Sequence, residues 1–224
     1  MFEYSALVPV DLSKSFLENA QNYMSKEKPG MNMHPCNDNF FTNQFTIPGS
    51  NRLAVLFGST ITNIEMMEGE PFPRHKIVCS LRNLRNLTGN DNQMLISFDA
   101  NSNLKDAFGA YEGAHWERFV TNLVHIIDKV LKSGEGFTPE ACKFDAVLDK
   151  NNHAIHHCLQ TTKGQNFSVG QKSFTIEASE RFVTINTLKY PVTLFQSICR
   201  EAGFEVNDLL HLKGNEMRLQ HLYC

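Results

Sequence analysis

Apolar residues in the first hundred positions come either in short unbroken runs or at helical spacing. Ser5 to Val10 reads as a short strand that gives way at Pro9 and Asp11. Phe16, Leu17, Ala20 and Tyr23 then recur with helical period behind a capping box of Ser15 and Glu18, and Lys28-Pro29-Gly30 stops the helix. Met31 to Cys36 is a weaker strand, followed by a polar loop with Asp38 and Asn39. Leu53-Ala54-Val55-Leu56-Phe57 is continuously apolar up to Gly58, the pattern of a strand covered on both faces. Ile77, Leu81 and Leu84 mark the next helix, and Met94 to Phe98 the next buried strand, ending at Asp99. This rhythm predicts a parallel α/β sheet.

The rhythm then changes. Trp116, Phe119, Val120, Leu123, Ile127 and Val130 predict one long amphipathic helix closed by Gly134. Strand-like pieces follow at Ala154 to Leu159, Phe167 to Val169, Phe174 to Ile176 and Phe182 to Ile185, with a hairpin turn at Val169-Gly170-Gln171-Lys172. Residues 102–187 therefore read as an α+β insertion between core segments 1–101 and 188–224. Pro191 opens a last helix through Phe195 and Ile198 that Gly203 ends. Phe204 to Leu212, Lys213-Gly214-Asn215 and Met217 to Tyr223 form a closing hairpin. The expected strands are 5–10, 31–36, 53–57, 94–98, 205–212 and 217–223.

Bulk properties narrow the function classes. The 224 residues, 42% hydrophobic and 20% charged, suit a soluble globular protein with a sizeable core. A net charge of −3 without a basic run argues against a nucleic-acid partner, and no apolar stretch approaches membrane-spanning length. Six cysteines without a close-spaced pair, and no secretory leader pattern, place the protein in the cytoplasm with reduced thiols. The sequons at Asn86 and Asn166 then carry no weight.

In open α/β sheets, ligands sit beyond the C-terminal ends of the strands, where Asp11, Asp38, Asn63 and Asp99 fall. A carboxylate after the second strand can accept both hydroxyls of a ribose. Its bland counterpart is a helix-capping Asp, the commoner reading for Asp11 taken alone. Gly58-Ser59-Thr60-Ile61-Thr62-Asn63 is more telling, because Gly lets backbone approach a ligand and Asn offers both donor and acceptor.

Together with Val8-Pro9-Val10-Asp11-Leu12-Ser13, Ala110-Tyr111-Glu112, Phe119 to Val130, Thr184 to Tyr190 and Ala202-Gly203-Phe204, that motif resembles the histidine N-methyltransferases of ergothioneine biosynthesis. The resemblance is collinear over essentially the whole chain. It implies a Rossmann-like methyltransferase sheet of three layers, closed by the antiparallel hairpin. It also implies methyl transfer from S-adenosylmethionine to the amine of an amino acid. Asp11 would bind the cofactor ribose, with Asp38 and Asn39 at the adenine. Asn63 and Tyr111 would hold the acceptor's amine and carboxylate, while His157, Ile185 and Thr187 would line its side-chain pocket.

The departures from the family pattern matter as much. His157 stands where the family has Met, Ile185 where a Glu grips the imidazole, Thr187 where it has Ser, and Thr62 where it has Gly. Losing that Glu removes the charged partner of a buried imidazole, which argues against histidine as acceptor. The family also carries roughly a hundred more N-terminal residues, about a small domain, with the first strand and the Gly-rich cofactor loop. A missing central strand would leave ladder hydrogen bonds unpaired. Closure of the second strand onto the fourth, another chain such as a homodimer mate, or a separate N-terminal segment would have to fill it. Binding of S-adenosylmethionine by this chain alone is therefore doubtful. The alternative is an inactive relic, or the partner subunit of a split enzyme. His153, His156, His157 and Cys158 invite a metal, but strand alternation separates their side chains.

Overall fold

The computed structural model describes residues 6–42, 45, 47, 49–58, 60–131, 138–211 and 216–224, without the side chains of 127, 130 and 131. Eleven strands and five helices follow in chain order. They are β1 (Val10–Asp11), α1 (Lys14–Glu27), β2 (Cys36–Asn37), β3 (Leu53–Leu56), α2 (Arg74–Thr88), β4 (Gln93–Asp99), α3 (Leu104–Gly109) and α4 (Ala114–Leu131). Then come β5 (Cys142–Asp149), β6 (Ala154–Thr161), β7 (Gln165–Val169), β8 (Lys172–Ile176), β9 (Arg181–Leu188), α5 (Val192–Glu201), β10 (Glu205–His211) and β11 (Met217–Tyr223).

The main sheet has four strands in the order β10-β11-β4-β3. β3 runs parallel to β4, and β11 runs antiparallel to both β4 and β10. Register puts Ala54, Leu56, Met94, Ile96, Phe98 and Leu222 on one face, where they join Ile77, Leu81 and Leu84 of α2 and Phe195 and Ile198 of α5 in the principal core. β10 and β11 are the expected hairpin, whose turn at 213–215 lies outside the described residues, as do Ser5, Ser59 and Gly134.

The insertion keeps its own sheet. β5, β6 and β9 form an antiparallel sheet, and β7 and β8 a hairpin turning at Gly170, whose φ of +60° suits glycine. α4 packs Val120 and Val124 onto Leu159 on one face of the three-stranded sheet, with Cys142 and Phe144 alongside. Neither β5 nor α3 is named by the apolar pattern. β5 alternates only weakly, and α3 is a six-residue helix capped by Asn103, whose side chain accepts from the Asp106 amide.

Three expectations are corrected. α1 is capped by Ser13, whose Oγ accepts from the Phe16 amide at 3.4 Å, and not by Ser15 with Glu18. The first two strands shrink to a two-residue parallel ladder, Val10 to Cys36 and Asp11 to Asn37, plus one bridge between Leu7 and Met33. Most consequentially, the Leu53–Phe57 run is not covered on both faces. β3 is an edge strand, with Val55 47% and Phe57 60% exposed. Its second face, shared with Leu95 and Leu219, contributes nothing to the principal core, so helices layer only one side of the main sheet. Among the described residues β1 pairs only with β2 and β3 only with β4, so there the second strand does not close onto the fourth.

Candidate functional site

Where the chain leaves β4 and later returns from β9, the insertion is bolted to the core. Asn186 donates to the Met66 carbonyl at 2.6 Å, Phe72 N–H to Asn152 Oδ1 at 2.8 Å, and Tyr190 Oη to the Ile61 carbonyl at 2.7 Å. Asn186 and Tyr190 are buried, so each bond satisfies a polar group that would otherwise cost about 1–3 kcal/mol. Rigid attachment holds one face of the insertion sheet above the C-terminal end of β4.

On that face His157 is central. It pairs across the sheet with Ile185, and its neighbour pair is Ile155 with Thr187. Directly opposed residues share a face, so Ile185 and Thr187 flank the imidazole. Trp116, at the start of α4, donates its indole N–H to His157 Nδ1 at 2.8 Å, and Nε2 lies 3.0 Å from Thr187 Oγ1. An indole only donates, so Nδ1 must accept and Nε2 carries the proton, which it gives to Thr187. Burial, reinforced by the neighbouring Lys189 and His156, lowers the His157 pKa to about 4. The ring is therefore a neutral, fully hydrogen-bonded wall at pH 7.

Aromatic rings close around it. Tyr111 lies 4.6 Å from the imidazole and Trp116 4.8 Å, both edge-on, while Trp116 and Tyr111 are 5.2 Å apart. Phe119 stacks on the outer side of Trp116 at 5.1 Å. The Tyr111 hydroxyl is reached by Lys189 Nζ at 3.2 Å, and Lys189 also ion-pairs with Asp99 at the end of β4. Ile185 leaves the cluster's floor apolar, and no carboxylate hydrogen-bonds its imidazole. His157 is thus not free to donate to a ligand, because both ring nitrogens are committed.

Of the sequence candidates, Tyr111, His157, Ile185 and Thr187 come together. Asn63 does not join them. Its exposed side chain accepts from Thr62 Oγ1 at 3.3 Å, and among the described residues no hydrogen bond ties it to the aromatic cluster. Trp116 and Lys189 were missed. The helical period of α4 assigns Trp116 to the core stripe, and Lys189 directly follows an apolar strand. A lone tryptophan in a first helical turn, and a lysine where burial is expected, were the signals available.

His156, one position away, faces the opposite side. Its Nδ1 meets Asn186 Oδ1 at 2.6 Å. Among the described residues no cluster of three or more His, Cys, Asp or Glu could hold a metal.

Asp11 and Asp38 lie at the ends of β1 and β2. Asn37, paired with Asp11, donates to the carbonyls of Asp11 and Leu12 at 2.9 and 2.8 Å and fixes the two strand ends side by side. Asp11 Oδ1 accepts from the Ser13 amide at 2.7 Å, and among the described residues Oδ2 has no hydrogen-bond partner. One carboxylate oxygen thus shapes the turn. Asp38 Oδ1 accepts from the Asn39 amide and Asn39 Oδ1 from the Phe41 amide. This loop is anchored by Asn83, which donates to the Phe41 carbonyl at 2.5 Å, and by Phe40 and Phe41 against the core.

The profile of a family described as histidine-specific, SAM-dependent methyltransferase matches residues 2–223. The chain belongs to that family. The methyl donor of this family is S-adenosylmethionine. Among solved structures, a S-adenosylmethionine-dependent methyltransferase from Clostridium acetobutylicum is 9% identical with a TM-score of 0.50, covering 97% of this chain and 74% of that one. The CcbJ methyltransferase from Streptomyces caelestis is 10% identical with a TM-score of 0.48, covering 98% and 79%. SAM-bound CalS10, an amino pentose methyltransferase from Micromonospora echinaspora, is 8% identical with a TM-score of 0.45, covering 97% and 74%. At 9% identity the first likeness speaks to fold alone. No curated protein matches the chain. Among the described residues, no helix is long and apolar enough to cross a membrane.

Proposed function

We propose that this chain carries the acceptor pocket and adenosine-binding end of an S-adenosylmethionine-dependent N-methyltransferase acting on an α-amino acid or related small amine with an apolar or aromatic side chain, and not on histidine. One observation carries the reading. Both ring nitrogens of His157 are consumed, by Trp116 and Thr187, and Ile185 stands on the same face without a charge. An imidazole entering there would find no carboxylate at position 185 to take its N–H, whereas an apolar or aromatic group meets Tyr111, Trp116 and Ile185.

When bound, S-adenosylmethionine supplies an electrophilic methyl group. Asp11 would hold its ribose, and Asp38 and Asn39 its adenine. The chain's remaining task is positioning: Tyr111 orients the acceptor so that a neutral nitrogen approaches in line. No general base is invoked.

A completing unit belongs to this proposal. Edge-to-edge pairing of two β3 strands in a homodimer would cover the edge of β3 but leave its second face bare. A face-to-face dimer would do the reverse. A parallel strand followed by a helix, supplied from outside the described residues, covers both at once. The bare face also holds a groove of about 500 Å3 lined by Leu53, Leu95 and His221 among others. It sits at the N-terminal ends of β3 and β4, away from the acceptor cluster, and is best read as part of the uncovered surface.

The open edge also favours a second reading, that the chain is the partner subunit of a split methyltransferase. A methyl-transfer screen of amino acids and amines, with the chain alone and with the completing segment, tests both. Turnover of an apolar or aromatic amino acid by the completed enzyme is the expected result. Preference for histidine would refute the pocket argument, and no turnover with any amine would leave only a non-catalytic role.

A further inference from the structure

Lys189 is an unusual residue to find buried. It immediately follows β9, its side chain is 4% exposed, and a lysine is almost never fully buried without a partner. Its ammonium ion-pairs with Asp99 at the end of β4 and donates to Tyr111 Oη at 3.2 Å. These two contacts join the return point of the insertion, the core sheet and the aromatic cluster.

The direction of the second bond has a chemical consequence. An ammonium has donors and no acceptor, so the Tyr111 oxygen must accept from Lys189. The phenolic proton then has to point elsewhere, and among the described residues none accepts it. With His157 and Trp116 packed against the ring at 4.6 and 5.2 Å, Tyr111 cannot turn away to find a different arrangement. Its hydroxyl proton is thereby left for a ligand. A fixed donor meets an oxygen well and an ammonium N–H badly, since two donors facing each other repel.

We propose that Lys189 is a positioning residue that sets Tyr111 as a hydrogen-bond donor, so that the pocket selects acceptors bearing a carboxylate or carbonyl oxygen at that point: an α-amino acid over the amine that lacks its carboxylate. This rests on the acceptor-pocket reading above and sharpens it, since that reading admits either class. Asp99 completes the device by holding the ammonium in place and balancing its charge.

The test is a calorimetric comparison. The proteinogenic amino acids are titrated into the full chain, and each binder is compared with its decarboxylated amine. The wild type is expected to prefer the amino acid. Lys189→Met and Tyr111→Phe should each weaken amino-acid binding about tenfold or more, the usual scale for losing a hydrogen bond to a charged group, while shifting the amine less than about twofold. The double variant should be no worse than Tyr111→Phe, because both remove one interaction. Lys189→Arg should restore the preference. Equal weakening of amino acid and amine by Lys189→Met would mean a merely structural role and overturn the proposal. So would an unchanged preference in Tyr111→Phe, a variant that decides the matter even where Lys189→Met fails to fold. In both cases the acceptor-pocket reading survives. Failure of the folded wild type to bind any amino acid or amine would sink that reading and this proposal together.

Discussion

Acid should loosen the insertion through His157. The residue is completely buried and its pKa of about 4 lies below the ordinary histidine value of 6.5 that the unfolded chain would show. A histidine whose folded pKa is lowered binds its proton more readily when unfolded. Its stabilising effect is therefore fully present above pH 6.5 and lost as the pH falls from 6.5 toward 4. Linkage puts the loss at about 2 kcal/mol by pH 5, approaching about 3 kcal/mol below pH 4. The structural cause is specific: protonated Nδ1 becomes a donor and confronts the indole N–H of Trp116. Urea unfolding at pH 7 and pH 5, for wild type and His157→Met, measures it. At pH 7 the variant should be less stable by about 1–3 kcal/mol, because the Trp116 N–H is left unpaired. Between pH 7 and 5 the wild type should lose about 2 kcal/mol more than the variant, so the gap narrows or reverses. Trp116, the chain's one tryptophan, should change its emission over the same range in the wild type. Equal losses in both proteins would refute the neutral, doubly bonded ring.

Three further outcomes are expected. Calorimetry of the chain alone should show S-adenosylmethionine binding weaker than micromolar; in the completed enzyme Asp11→Ala should weaken it about tenfold, on the scale of one ribose hydrogen bond to a carboxylate, and an unchanged affinity would remove Asp11 from the site. Ile185→Glu, placing a carboxylate beside His157, should raise histidine's standing among acceptors about tenfold or more in the same screen, with no change counting against Ile185 as a pocket residue. Backbone amides of β3 that point away from β4 should exchange rapidly in the chain alone and become protected when a strand-plus-helix segment is added, whereas slow exchange from the start would mean that the edge is already paired.

Periodicity decided a good deal about this protein before any coordinates. Helical spacing located α1, α2, α4 and α5, and apolar runs located β4, β6 and the closing β10–β11 hairpin, because each buries a face whose period the sequence must keep. The same runs put Asp11 and Asp38 at strand ends. Local pattern could not show what lies beside a strand. Leu53–Phe57 has the composition of a central strand, yet it is an edge, since neighbours are set by pairing between distant segments. Likewise nothing within α4 says that Trp116 meets a histidine 41 positions later, or that Lys189 reaches back 78 positions to Tyr111. Those contacts exist because Asn186 and Tyr190 fasten the insertion to the core at one height, and only that closure fixes which side chains face each other.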